Sequence, residues 1–170
     1  AAALPRRRFE TRVVDPRDGT HVMAAISCGG VWRTRDDGET WEQTAHGMRA
    51  DFLPPEHQLD PEGQDPHLIA SSPADPDKLW CQHHCGIFRS VDCGASWTEV
   101  EGVAPSAFGF AVAVHPKDAD TAWFVPAIKD ERRIPVDGKV VVNRTTHGGK
   151  TMETLRAGLP QAHAYDLTYR

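Results

Sequence analysis

Three stretches of this chain are written to one pattern, and they constrain its fold more than anything else in it. The first is Thr34-Arg35-Asp36-Asp37-Gly38-Glu39-Thr40-Trp41 and the second Ser90-Val91-Asp92-Cys93-Gly94-Ala95-Ser96-Trp97. The third, Thr145-Thr146-His147-Gly148-Gly149-Lys150-Thr151-Met152, puts His147 in place of the acid and Met152 in place of the aromatic. The shared form is hydroxyl-x-Asp-x-Gly-x-x-Trp, recurring at a period of about 55 residues, which is the range of propeller blades.

The residue types suit a tight turn between strands. Asp36 is short enough to accept hydrogen bonds from its own main chain. Gly38 supplies a positive φ that a side chain resists. Thr34 offers a second local hydroxyl, and Trp41 is expected to lie as an apolar plate between neighbouring sheets. In each unit a Pro-x-Asp reverse turn stands upstream of this element: Pro16-Arg17-Asp18, Pro73-Ala74-Asp75 and Pro116-Lys117-Asp118. The repeat then reads as four strands. The strands expected are 8–14, 21–27, 31–35 and 40–44; then 67–71, 78–82, 87–90 and 96–100; then 108–114, 121–127, 139–144 and 151–155. Alternation in Ala111-Val112-Ala113-Val114 supports the assignment, and no long 3.6-residue periodicity competes with it.

The expected fold is all-β, a β-propeller of four-stranded antiparallel blades with about three blades present. Their bounds are about 8–47, 48–101 (with an inserted loop at 51–66) and 102–157. Residues 158–170 read as the inner strand of a further blade, starting near Ala164-Tyr165. A ring needs at least four blades. The remaining ones are expected from a longer chain or from a second copy, which would cover Trp41, Trp123 and Phe124.

Composition removes several functions. A net charge of −5 leaves no basic footprint for nucleic acid or anionic membrane, and no apolar run reaches membrane-helix length. The opening Ala1–Arg8 lacks the apolar core of a signal peptide, so the compartment stays open. Four cysteines in 170 residues are too few to build the fold, and free thiols are expected.

The repeated turn resembles the Asp box of sialidase-like (BNR) propellers, and the chain as a whole is similar to bacterial sialidase-like and glycosyl-hydrolase-like proteins of that kind. That resemblance implies a structural role for Thr34, Asp36, Gly38, Trp41, Ser90, Asp92, Gly94, Trp97, Thr145 and Gly149. It implies a carbohydrate-directed function, glycan binding or glycoside hydrolysis. The runner-up is a non-catalytic binding or scaffold module. In sialidases an arginine within Phe/Tyr-Arg-Ile-Pro clamps the substrate carboxylate. Here Arg133-Ile134-Pro135 matches three of those letters, with Arg132 for the aromatic, although the tripeptide stands between the second and third boxes rather than ahead of the first. The family's tyrosine nucleophile would fall to Tyr165 or Tyr169.

Strand direction places the chemistry. In a four-stranded antiparallel blade the first and third connections share one face, and the second connection and the crossover share the other. The Pro-x-Asp turns and boxes therefore lie together, and the irregular loops 51–66, 82–86 and 129–138 gather opposite them. Loops on a rigid scaffold carry binding groups. This face holds Asp65, Asp130 and Arg133 as candidate catalytic groups and His57, His67, His83, His84 and Arg132 as candidate ligand contacts. Metal is a third option. Cys81, His83, His84 and Cys85, with His57, Asp65 and His67 near, offer N, S and O donors to zinc, and His84, Cys85 and His57 are the ligands favoured. Adjacent side chains on a strand point to opposite faces, which lets only one of His83 and His84 enter a site.

Overall fold

The computed structural model of the chain describes residues 8–166. Within them stand twelve strands in three four-stranded sheets, every neighbouring pair antiparallel. The first sheet is β1 (Phe9–Asp15), β2 (Asp18–Ile26), β3 (Gly30–Thr34) and β4 (Glu42–Gln43). The second is β5 (Pro66–Ser72), β6 (Asp75–His83), β7 (Gly86–Ser90) and β8 (Thr98–Glu99). The third is β9 (Gly109–His115), β10 (Asp118–Pro126), β11 (Val142–Thr145) and β12 (Glu153–Leu155). Among the described residues helix is confined to three single 3-10 turns, at Pro55–His57, Pro61–Gly63 and Val136–Gly138. The chain is all-β, a partial β-propeller, with β5 lying between β1 and β9 at the inner edge.

The repeated turn closes as its residue types require. Gly38 donates its amide to the Thr34 hydroxyl at 2.9 Å, and Thr40 donates amide and hydroxyl to Asp36 at 2.9 and 2.5 Å. The second copy repeats this, with Gly94 on Ser90 at 2.8 Å and Ser96 on Asp92 at 3.0 and 2.6 Å. In the third, Gly149 binds the Thr145 hydroxyl at 3.0 Å, and His147 Nδ1 stands 3.3 Å from the Thr151 hydroxyl, where the carboxylate would be. The conformation asks for two successive positive-φ residues, not one: Asp37 and Gly38, Cys93 and Gly94, Gly148 and Gly149.

Each turn packs backwards onto the preceding sheet. Trp97 is buried and donates its indole N–H to the Thr44 carbonyl at 2.9 Å. A Cβ at Gly94 would meet Met23 of the first sheet, and one at Gly149 would meet Val100 of the second. Met152 joins the apolar cluster of Trp80, Ile87 and Phe124 that holds the second and third sheets together. Trp41 departs from the expectation: it is 43% exposed and folds its N–H onto Gly38 of its own turn, with no other sheet among the described residues packed over it. Phe124 also differs. It lies in the core, 5.8 Å from the Trp80 ring, and leaves no surface to be covered.

The third strand of the last sheet starts late for a local reason. β11 begins at Val142 rather than at position 139, because Val140 donates its amide to Pro160 and Gly138 accepts from Ala164. The same two bonds hold residues 160–164 against the 138–140 loop. The inner strand expected from Ala164 does not begin within the described residues, and the positions beyond 166 lie outside them. All four cysteines are free thiols.

Candidate functional site

The rung that opens each sheet sets the geometry of the site. Ser27 donates its amide to Arg8 at 2.8 Å, His84 to Asp65 at 2.9 Å and Ala127 to Phe108 at 2.9 Å. These three bonds are one position in three repeats. Side chains two residues apart on a strand share a face, and a cross-strand neighbour joins them. Glu10, His67 and Phe110, each two residues on from its rung, therefore point toward one space. They line a cavity of about 550 Å³ together with Arg8, Phe9, Ser27, Asp65, His84, Asp130 and Arg133. A smaller cavity of about 230 Å³ lies at the opposite face, beside the Pro16 turn and Cys93.

In the second repeat the rung brings an acid and two imidazoles together. The Oδ2 of Asp65 lies 3.7 Å from His67 Nε2 and 3.3 Å from His84 Nδ1. Its other oxygen accepts the Cys28 amide at 3.1 Å. Burial pushes the Asp65 carboxyl up, but His67 and His84 outweigh it and hold the group far below the usual carboxylate range. An aromatic cage fixes both rings. His67 stacks on Phe110 at 4.6 Å, and His84 stands edge-on to Phe52 and Phe108 at 5.0 and 5.5 Å.

His83 points the other way. It is fully buried beside Phe88, with its ring nitrogens at the amides of Asp65 (2.9 Å) and Cys85 (3.1 Å). A neutral ring has one acceptor nitrogen and can satisfy only one of them. Burial lowers its pKa to about 3, so it stays neutral and serves the hairpin. It is no ligand contact. His57 pairs with Asp60 at 2.7 Å on the exposed loop, and the Cys85 sulfur accepts the Asp51 amide at 3.2 Å. Neither stands with His84, whose neighbours are Asp65 and His67 instead.

The third repeat contributes its long second connection. The Arg133 guanidinium lies 5.0 Å over the Phe110 ring and is ion-paired to Asp130, whose carbonyl also accepts its Nε–H at 3.0 Å. Arg132 is exposed and bridges to Lys129, away from the cavity wall. Tyr165 is exposed and rests against Gly138, with its ring 6.3 Å from His163, and the strand expected to run on from it lies outside the described residues.

Five of the residues singled out from the sequence thus meet at one cavity: Asp65, His67, His84, Asp130 and Arg133. Sequence reasoning missed Glu10 and Phe110. The repeat itself carried the signal, since both are the counterparts of His67 once the opening rungs are aligned.

No protein-family model and no curated protein matches the chain. Among solved structures, an ancestral GH74 enzyme superposes with a TM-score of 0.69 at 17% identity, over 95% of this chain and 19% of that one. YCF48 from Cyanidioschyzon merolae gives 0.56 at 22% identity, over 89% of this chain and 38% of that one. A YCF48 bound to D1 peptide gives 0.54 at 17%, over 86% and 39%. The chain therefore spans a fifth to two fifths of the length of these propellers, and at such identities the likeness is one of fold.

Proposed function

We propose that the chain is part of an Asp-box propeller of the sialidase-like kind, and that its loop-rich face binds carbohydrate. The observation that carries this reading is the convergence of three repeats on one cavity, where the exposed Phe9 stands among Glu10, Asp130 and Arg133. An apolar ring beside a few fixed polar groups is the composition of a small-molecule site. The Phe9 ring suits the C–H face of a sugar, and carboxylates and a guanidinium suit its hydroxyls. The hydrogen bonding shared by the turns at Thr34, Ser90 and Thr145 supports the Asp-box assignment. The fold shared with a GH74 enzyme, a glycoside hydrolase, supports the carbohydrate class.

Binding is favoured over hydrolysis. Glycoside cleavage asks for one carboxylic acid kept protonated and a second free carboxylate. Asp65 is held ionised by two histidines, and Asp130 is paired with Arg133. The second reading is a non-catalytic scaffold module, in line with the fold shared with a YCF48 bound to D1 peptide.

Calorimetric titration with sialyllactose and with a neutral cello-oligosaccharide tests the proposal. Binding of either is expected, weakened at least tenfold by Arg133→Ala. No heat from either sugar, with the folded state intact, sinks the carbohydrate reading and leaves the scaffold one.

A further inference from the structure

We infer that Asp65, His67 and His84 form a binding site for one divalent transition-metal ion, of which zinc is the representative. The inference does not depend on the carbohydrate reading.

His67 Nδ1 lies 2.7 Å from the Gly109 carbonyl oxygen, which can only accept, so Nδ1 carries the proton. Nε2 of the same ring lies 3.7 Å from Asp65 Oδ2, a gap too long for a hydrogen bond. A cation seated between the two atoms takes a lone pair from each. A backbone carbonyl that fixes the tautomer from behind is the usual outer support of a metal-binding histidine.

The distances fit an ion. Zinc sits about 2.0–2.1 Å from nitrogen and oxygen ligands, so the edge of its tetrahedron is roughly 3.3 Å. The observed spacings from Oδ2 are 3.3 Å to His84 Nδ1 and 3.7 Å to His67 Nε2, and the three donor atoms all lie within 4.8 Å of one another. The two Asp65 edges stand within a few tenths of an ångström of that value. Two imidazoles and a carboxylate are the donors expected for zinc or for ferrous iron, rather than for calcium or magnesium.

Support surrounds the donors on every side. Asp65 is fixed through its second oxygen by the Cys28 amide, and Phe110, Phe108 and Phe52 hold the two rings. Asp65 and His67 are nearly buried, while His84 is about a fifth exposed and faces the cavity, which gives an entry path. The charge of Arg133 on the same wall is offset by Asp130. Three protein ligands leave a coordination position open to the cavity, as in zinc sites that bind water or a ligand oxygen.

The test is a titration of chelator-stripped protein with Zn²⁺ by calorimetry, and with Co²⁺ followed by its visible absorption, at pH 7.5. One ion per chain is expected, with cobalt bands of four or five coordination and no thiolate charge-transfer band. His84→Gln and His67→Gln should each weaken uptake at least tenfold, with His57→Ala and Cys85→Ser unchanged. Asp65→Asn should do the same. His84 is part-exposed, so its variant folds even where the buried ones do not, and a metal-free thermal melt checks this. Zinc uptake without sugar binding overturns the carbohydrate reading and leaves this one standing. No uptake by the parent chain, uptake undiminished in His84→Gln, or loss on Cys85→Ser overturns the site.

Discussion

Gly47 lies against the carbonyl oxygen of Trp97 so closely that a Cβ there would stand 2.1 Å from it. The contact joins the end of the first sheet to the start of the second sheet's outer strand, with a φ of +88° at the glycine. Gly47→Ala therefore suffers twice, from the left-handed backbone and from a clash with main chain. The backbone part alone costs about 1–2 kcal/mol. Gly102 shares the positive φ but has open space where a Cβ would go. Denaturant unfolding should show a clearly larger loss for Gly47→Ala than for Gly102→Ala. Equal losses would mean that the two sheets are not locked at this point.

The two tryptophans of the repeated turn should behave oppositely. Trp97 is 3% exposed and Trp41 is 43% exposed. Trp97→Ala is expected to cost about 3–5 kcal/mol, as for other buried aromatics. Trp41→Ala should stay within about 0.5 kcal/mol of the parent, as surface changes do. A Trp41 variant as damaged as the Trp97 one would show that another surface covers Trp41 in solution.

His83 sets a pH dependence distinct from that of the carboxylates. Its folded pKa is about 3 and its ordinary value about 6.5. Between those values the unfolded chain binds the proton and the folded one does not, so stability falls as pH falls through this window. The slope reaches at most about 1.4 kcal/mol per pH unit. Unfolding curves from pH 7 to pH 4 should show this loss, and His83→Gln should flatten it. A slope that survives the substitution assigns the effect elsewhere.

The turns act lower on the scale. The Thr40 hydroxyl and amide, then Thr34, hold the Asp36 carboxyl at about 2. For Asp92 burial pushes upward, but Ser96 and Ser90 win and the carboxyl sits below its ordinary value. A depressed folded pKa gives stability that is present above the unfolded value near 4 and is lost as pH falls through the folded one. Asp92→Asn should lower stability at pH 7 and reduce the further loss as pH falls below about 4. Any ligand affinity at the cavity should be untouched, since that turn lies on the opposite face. Affinity lost with stability unchanged would reverse the assignment of the two faces.

Much of this architecture was legible because it is local. Thr34-x-Asp36-x-Gly38 closes through its own side chains, and alternation such as Ala111-Val112-Ala113-Val114 needs only one strand to be read. What was not legible depended on contacts between distant segments. Nothing near Tyr165 announces that residues 160–164 bind the 138–140 loop instead of opening a strand. His83 and His84 are indistinguishable as letters, and only the rung between His84 and Asp65 decides which faces the cavity. Phe110 enters the site because β9 packs beside β5 and stacks it on His67, a contact that no single repeat contains.

The backward seating of each turn gives the array a direction. One side of each sheet offers a large apolar residue (Trp41, Trp97 or Met152) and a positive-φ glycine, and the other offers carbonyls and apolar side chains that can receive them, as Thr44 and Met23 receive Trp97 and Gly94. Such a unit is complementary to its neighbour and not to itself, so its association is head-to-tail rather than two-fold. A row of these units always has one unmatched head and one unmatched tail, however long it grows. Trp41 is the head of this one. Only a ring in which the last tail meets the first head removes both, and the angle between successive sheets then fixes how many units the ring holds.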